Sequence, residues 1–158
     1  MKTFVILSDT HRNTQPYEKM ATVLAECDCI VHLGDMASDA NQLMRQYPQK
    51  TYVVSGNNDF FGGLPSECVL EAEGHRIFVC HGHRYSVKSG TQKLVEAAKK
   101  NDCDIALYGH THIDDVHEEE GVLVINPGCM QRYSPKISYC YLVLAGKKAV
   151  PTIVEIGH

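Results

Sequence analysis

The chain has 158 residues, of which 44% are hydrophobic and 22% charged, and a formal net charge of −4. That length suits one domain, 1–158, with a sizeable buried core, and no apolar run approaches the length of a bilayer span. The mild negative charge argues against a broad nucleic-acid footprint, so neither an extended nucleic-acid site nor a membrane partner is expected.

Seven cysteines, an odd number without regular spacing, do not read as a disulfide framework. Free thiols suit a reducing compartment, and a cytoplasmic location is expected. Cys27 and Cys29 are separated by one residue and lack the second pair that a zinc knuckle needs.

In chain order, "MKTFVILSDTH" carries an apolar stretch too short for a leader and no small-residue cleavage site. Thr3–Leu7 therefore reads as a first buried strand, followed by further strands at Cys29–Leu33 and Thr51–Val54. Helices are expected between them at Tyr17–Glu26 and Ala40–Tyr47, the second capped by Ser38 or Asp39. This βαβαβ order favours parallel pairing through right-handed crossovers. The second half changes character: Glu67–Ala72 and Arg76–Cys80 flank "EGH" as a hairpin. A helix follows near Gly90–Lys100, with Ser89 and Gln92 spaced as a capping box. Strands are then expected at Asp104–Tyr108, Asp115–Glu119, Val122–Ile125, Ser138–Leu144 and Val150–Ile156, with an exposed turn at Glu118–Gly121. So many strands suggest two sheets packed face to face with helices outside.

The polar residues gather where apolar strands stop. "VILSDTH" ends in Asp9 and His11, "IVHLGD" in Asp35, and "YVVSGNND" in Asn57, Asn58 and Asp59. "IFVCHGH" ends in His81 and His83, and "IALYGHTH" in His110 and His112. Carboxyl ends of strands line the ligand crevice of open α/β sheets, and unrelated loops would not all carry metal-ligand residue types. Asp9, His11, Asp35, Asn57, His81, His110 and His112 supply oxygen and nitrogen donors without a thiolate. Seven donors exceed the four to six ligands of one divalent ion and suit two ions about 3.5–4 Å apart that share a carboxylate. Asp35, alone at its strand end, is the natural bridge. The spacings D-x-H and H-x-H are expected to set paired ligands on one face of an undistorted strand.

Two such ions acidify a bridging water and neutralise charge developing on phosphoryl oxygens, which suits in-line hydrolysis of a phosphate ester. No serine or cysteine nucleophile is required. Cys80 and Cys129 lie near site segments without a dedicated base and read as packing residues.

The ordered set "SDTH", "GD", "GNND", "HGH" and "GHTH", followed by "NPG", resembles the calcineurin-like metallophosphoesterase superfamily, and within it the small phosphodiesterase branch of bacteria and archaea. The motifs span Asp9 to Gly128. The resemblance implies an α/β fold, a four-layer αββα sandwich of two packed mixed β-sheets flanked by helices, with a dinuclear site at one edge. It implies that Asp9, His11, Asp35 and His112 hold one ion, and Asp35, Asn57, His81 and His110 the other. Manganese is the metal the family most favours, with iron, nickel or zinc also compatible.

Where many members of the superfamily carry a histidine, this chain has Asn58, which can donate a hydrogen bond but cannot transfer a proton. His83, or water held by the metals, would have to compensate when the leaving group is a basic alcohol. Asp35, Asn57, Asn58 and His83 are thus the catalytic candidates, and Asn58, His83 and Arg132 the substrate contacts, while Asp59 is expected to order its loop. His32 reads as a core histidine, and His75, His117 and His158 are given no role. The expected function is hydrolysis of a small phosphodiester or nucleotide. The alternative is a non-catalytic protein-binding scaffold of the same fold, which filled ligand positions disfavour. A homo-oligomer is compatible with the sequence.

Overall fold

In a computed structural model, which describes residues 1–59 and 63–157, β1 (Lys2–Leu7) pairs in parallel with β2 (Cys29–His32), and β2 with β3 (Thr51–Val53). Two short helices, α1 (Pro16–Lys19) and α2 (Ala21–Glu26), form the first crossover, and α3 (Asn41–Gln46) the second. Two long strands from the end of the chain complete the sheet. β9 (Ile137–Ala145) runs antiparallel to β1, and β10 (Lys148–Ile156) covers its other side, giving the order β10-β9-β1-β2-β3.

The second sheet starts from the expected hairpin, β4 (Glu67–Ala72) and β5 (His75–Cys80). Helix α4 (Gln92–Lys100) crosses over to β6 (Ile105–Leu107), and a second hairpin, β7 (Asp115–Glu119) and β8 (Val122–Asn126), gives the order β4-β5-β6-β8-β7. Both sheets are mixed and five-stranded.

Alternation along the strands sorts side chains into layers. Phe4 and Ile6 of β1 meet Ile77, Val79, Ile105 and Leu107 of the other sheet in a buried seam between them. Val5 and Leu7 face the opposite way and pack under Tyr17, Leu24 and Leu43 of the first three helices. On the far side Leu94, Val95 and Ala98 of α4 cover Phe78, Ala106 and Val124. The result is the αββα sandwich. Truncating a fully buried aromatic such as Phe78 should cost about 3–5 kcal/mol.

Local details differ from the expectations. The single helix expected at Tyr17–Glu26 is broken at buried Met20, whose backbone (φ −95°, ψ 3°) separates α1 from α2. Neither Ser38 nor Asp39 caps α3. Both lie in a 3-10 turn, Ala37–Ala40, and the Asp39 carboxylate accepts from Thr10 Oγ1 (2.5 Å) and the Arg12 amide (2.7 Å). The Ser89–Gln92 capping box does not form either. Ser89 closes a 3-10 turn, and Thr91 at the start of α4 bonds to Glu119 on β7 (2.6 Å). His158 lies outside the described residues. No helix among those described is long and apolar enough to cross a membrane.

Candidate metal centre

The strand ends of both sheets open onto one polar focus. β1 stops at Leu7, β2 at His32 and β6 at Leu107, so the candidate ligands sit just beyond regular structure. The expectation of ligands on one face of an undistorted strand is wrong. Asp9, His11, Asp35, His110 and His112 all have left-handed backbone, with φ between 46° and 71°. Aspartate and histidine tolerate that region better than most residues, and strain of this kind gathers at functional sites.

Coiling the backbone sends neighbouring ligands to different partners. His112 Nε2 lies 3.3 Å from His11 Nε2 and 3.3 Å from Asp9 Oδ1. His110 Nδ1 lies instead 3.2 Å from His81 Nε2, which is itself 3.4 Å from Asp35 Oδ2. Two donor groups result, Asp9–His11–Asp35–His112 and Asp35–His81–His110, each with its donor atoms within 4.8 Å of one another. Asp35 belongs to both.

Close approach at the focus requires missing side chains. A Cβ at Gly109 would collide with Ser8 and lie 2.7 Å from Asp9 Oδ2, and one at Gly56 would strike the Asp35 carboxylate and lie 2.6 Å from the Asp35 amide.

The convergence of these donor atoms suits a cation. His81 Nδ1 donates to the Leu33 carbonyl (2.8 Å), which fixes the tautomer and leaves the Nε2 lone pair aimed at Asp35 and His110. Asp9 Oδ1 is fully buried and accepts no hydrogen bond, although Oδ2 is held by Ser8 Oγ (2.5 Å) and the His110 amide (3.0 Å). The Asn57 amide places the atom standing as its carbonyl oxygen 3.1 Å from His81 Nε2, 3.2 Å from His110 Nδ1 and 3.1 Å from Asp35 Oδ1. Those neighbours are acceptors, so hydrogen bonding alone would turn the amide to donate from nitrogen. A cation favours the oxygen. Oxygen and nitrogen donors converging in this way fit a divalent metal.

The electrostatics agree. Burial pushes the Asp9 carboxyl up, but His11, His112, His81 and Ser8 outweigh it and hold the group well below the ordinary carboxylate range. Burial likewise opposes ionisation of Asp35, and His81 with the Asn58 amide reverses the balance. The site holds two ionised carboxylates in a partly dry setting.

The shell around these groups joins residues whose roles the sequence foretold, Asp59 and His32, to others whose roles it hid. Asp59 accepts from the amides of Asp35 (2.9 Å), Gly56 (2.8 Å) and Ala37 (2.7 Å), and so orders its loop as expected. Asn58 donates to Asp35 twice, from its amide and from Nδ2, both at 3.0 Å. Asn126 of "NPG" donates to the Gly109 carbonyl (3.2 Å) and Thr111 Oγ1 (2.9 Å), bracing the loop that carries His110 and His112. His32 is fully buried and accepts from the Gly34 amide at Nδ1 (3.1 Å), so that Nε2 donates to Thr10 Oγ1 (3.1 Å), which in turn donates to Asp39.

His83 joins the focus, its ring centroid 5.5 Å from that of His81 and 6.2 Å from that of His110, with Nδ1 buried and without a partner among the described residues. Arg132 makes no described contact with the cluster. It lines a groove with Asn13 and Lys19 beside the loop that carries His11. Cys80 is buried, and burial pushes its thiol up; Cys129 is buried as well and donates to Ser134 Oγ (3.3 Å). All seven cysteines are free. His75 is a buried link between Asp104 (2.6 Å) and the Gly146 carbonyl (2.7 Å), and His117 lies on β7 between Asp115 and Glu119.

A sandwich of this topology with carboxylates and imidazoles converging at its strand ends defines a metallophosphoesterase. The model of the calcineurin-like phosphoesterase superfamily domain matches residues 1–149, and the chain belongs to that superfamily. A probable metallophosphoesterase of Mycoplasma pneumoniae is 32% identical over 151 residues, covering 92% of this chain and 91% of the relative. A phosphodiesterase of Methanocaldococcus jannaschii is 28% identical over 140 residues, covering 78% and 81% respectively. The solved structure of a predicted phosphoesterase from Streptococcus pneumoniae superposes with a TM-score of 0.83 at 25% identity, covering 98% of this chain and 89% of that one.

Proposed function

We propose that the chain is a phosphodiesterase that holds two divalent ions and hydrolyses a small phosphate ester or nucleotide. The observation that carries this reading is the sharing of Asp35 between two donor groups. In it, Asp9, His11, Asp35 and His112 hold one ion, and Asp35, Asn57, His81 and His110 the other. Two bound cations would supply an acidified water and charge neutralisation at the phosphoryl oxygens. Oxygen and nitrogen donors without thiolate suit manganese, with iron, nickel or zinc as competitors.

The protein's own groups do the rest. Buried Asp9 and Asp35 stay ionised and concentrate negative charge where cations are needed. Asn58 acts through Asp35, fixing its carboxylate with two hydrogen bonds, and its amide cannot transfer a proton. That leaves His83, beside His81 and His110, as the side chain placed to hand a proton to the departing oxygen. The M. jannaschii relative named as a phosphodiesterase supports a diester over a monoester. Seven free thiols support a reducing compartment, and we assign the cytoplasm.

The test is hydrolysis of bis(p-nitrophenyl) phosphate after chelation and with each metal returned separately. Activity that returns only with metal supports the enzyme. Absence of turnover with every metal would favour the protein-binding scaffold.

A further inference from the structure

Next to the metal centre lies a groove of about 230 Å³ whose chemistry the reaction described above does not use. It is lined by Lys19 and Arg132, by the polar Asn13 and Gln15, and by the buried apolar residues Pro16 and Ile137. Among the described residues that line it there is no carboxylate. Lys19 Nζ donates to the Gly157 carbonyl (2.6 Å), which leaves two of its three N–H groups for a ligand. Arg132 makes no ion pair among the described residues, and its guanidinium presents a planar fork of donors suited to phosphate. Asn13 is buried and its Nδ2 donates to the Met130 carbonyl (2.8 Å), so it shapes the groove and leaves the anion to Lys19 and Arg132.

Two backbone links join this groove to the metal centre. Asn13 lies two residues beyond His11, and the Met130 amide donates to the Asp9 carbonyl (3.3 Å), two residues before Arg132. The same short loop therefore carries candidate ligands and one side of the groove.

We propose that the groove is a second anion subsite, which binds a non-reacting phosphate attached to an organic body. Lys19 and Arg132 take the phosphate, the apolar part of the lining takes the adjoining carbon framework, and the substrate is a phosphodiester that bears a further phosphate. This deepens the phosphodiesterase reading and rests on it for the word substrate, although binding at the groove does not need metal.

The experiment is therefore a calorimetric or NMR titration of the chelated, metal-free protein with phenyl phosphate and with inorganic phosphate. Phenyl phosphate should bind, and Arg132→Gln and Lys19→Gln should each weaken it about tenfold or more, as loss of a charged hydrogen bond does. His112→Asn should leave that affinity within twofold, which separates the groove from the imidazole cluster. Inorganic phosphate should bind more weakly than phenyl phosphate. Equal affinity in wild type and the Lys19→Gln/Arg132→Gln double variant would overturn the subsite, as would loss of binding in His112→Asn. Binding that survives in a protein without metal-dependent hydrolysis would retain the anion site and discard the phosphodiesterase reading.

Discussion

His110 and His112 stand two residues apart yet serve different neighbours: His110 Nδ1 faces His81 at 3.2 Å, and His112 Nε2 faces His11 at 3.3 Å. Left-handed backbone at both residues makes this division, which an extended chain could not. It gives the two proposed ion positions separate genetic handles. His112→Asn should lower occupancy of the Asp9–His11 position, and His110→Asn that of the Asp35–His81 position, each leaving close to one ion per chain. Elemental analysis of both variants checks this, and equal loss of both ions from either one would contradict it.

Asp35→Asn should be the most damaging single-ligand change, because the amide lacks the charge and both donor groups use this side chain. Its turnover and its metal content should both fall below those of any single histidine variant. His75→Gln is the control for a buried histidine away from the cluster, and it should cost stability while leaving metal content unchanged.

Asn58 should act on metal affinity before it acts on chemistry. Asn58→Ala keeps the backbone amide bond to Asp35 and removes the one from Nδ2, and it should weaken metal binding about tenfold, the lower end of the usual effect of losing a group that orients a ligand. His83→Ala should behave differently. Metal content should stay near that of wild type, hydrolysis of nitrophenyl esters should change little, and hydrolysis of alkyl esters should fall by about 10²–10⁴. A parallel fall on both ester types would remove His83 from the proton-transfer role.

The sandwich was readable in the sequence because alternation and strand-end punctuation are local signals. Phe4 and Ile6 against Val5 and Leu7 encode two buried faces in four residues. The convergence of Asp9, His11, Asp35, His81, His110 and His112 was readable for the same reason, since each follows an apolar strand. The geometry at each ligand was not, because positive φ at Asp9 or His112 is imposed by partners distant in the chain. Asp39 shows the same limit: next to a helix start it reads as a cap, yet Thr10 and the Arg12 amide, nearly thirty residues earlier in the chain, claim its carboxylate. Arg132 reads as a phosphate contact from its place after "NPG", and its grouping with Lys19 and Asn13 is visible only in three dimensions.

His32 should make the metal-free protein acid-sensitive. Burial holds its pKa down at about 4 in the fold, against 6.5 for an ordinary histidine. As pH falls below 6.5 the unfolded chain takes the proton first, so stability present above that pH is lost progressively down to about pH 4. The loss should be on the order of 3 kcal/mol. His11 and His81 are raised and work in the opposite sense, so the quantity to compare is the pH slope of urea unfolding in wild type and in His32→Gln. The variant should lack the decline between pH 6.5 and 4 that wild type shows; identical slopes would mean that His32 is not held neutral.

The most direct test of the dinuclear reading is metal titration of the chelated protein, following bound metal and hydrolysis of bis(p-nitrophenyl) phosphate together. Two manganese ions per chain should bind, with activity appearing as the second position fills. Saturation at one ion with full activity, or full activity in the chelated protein, would contradict a site built around the shared Asp35 carboxylate.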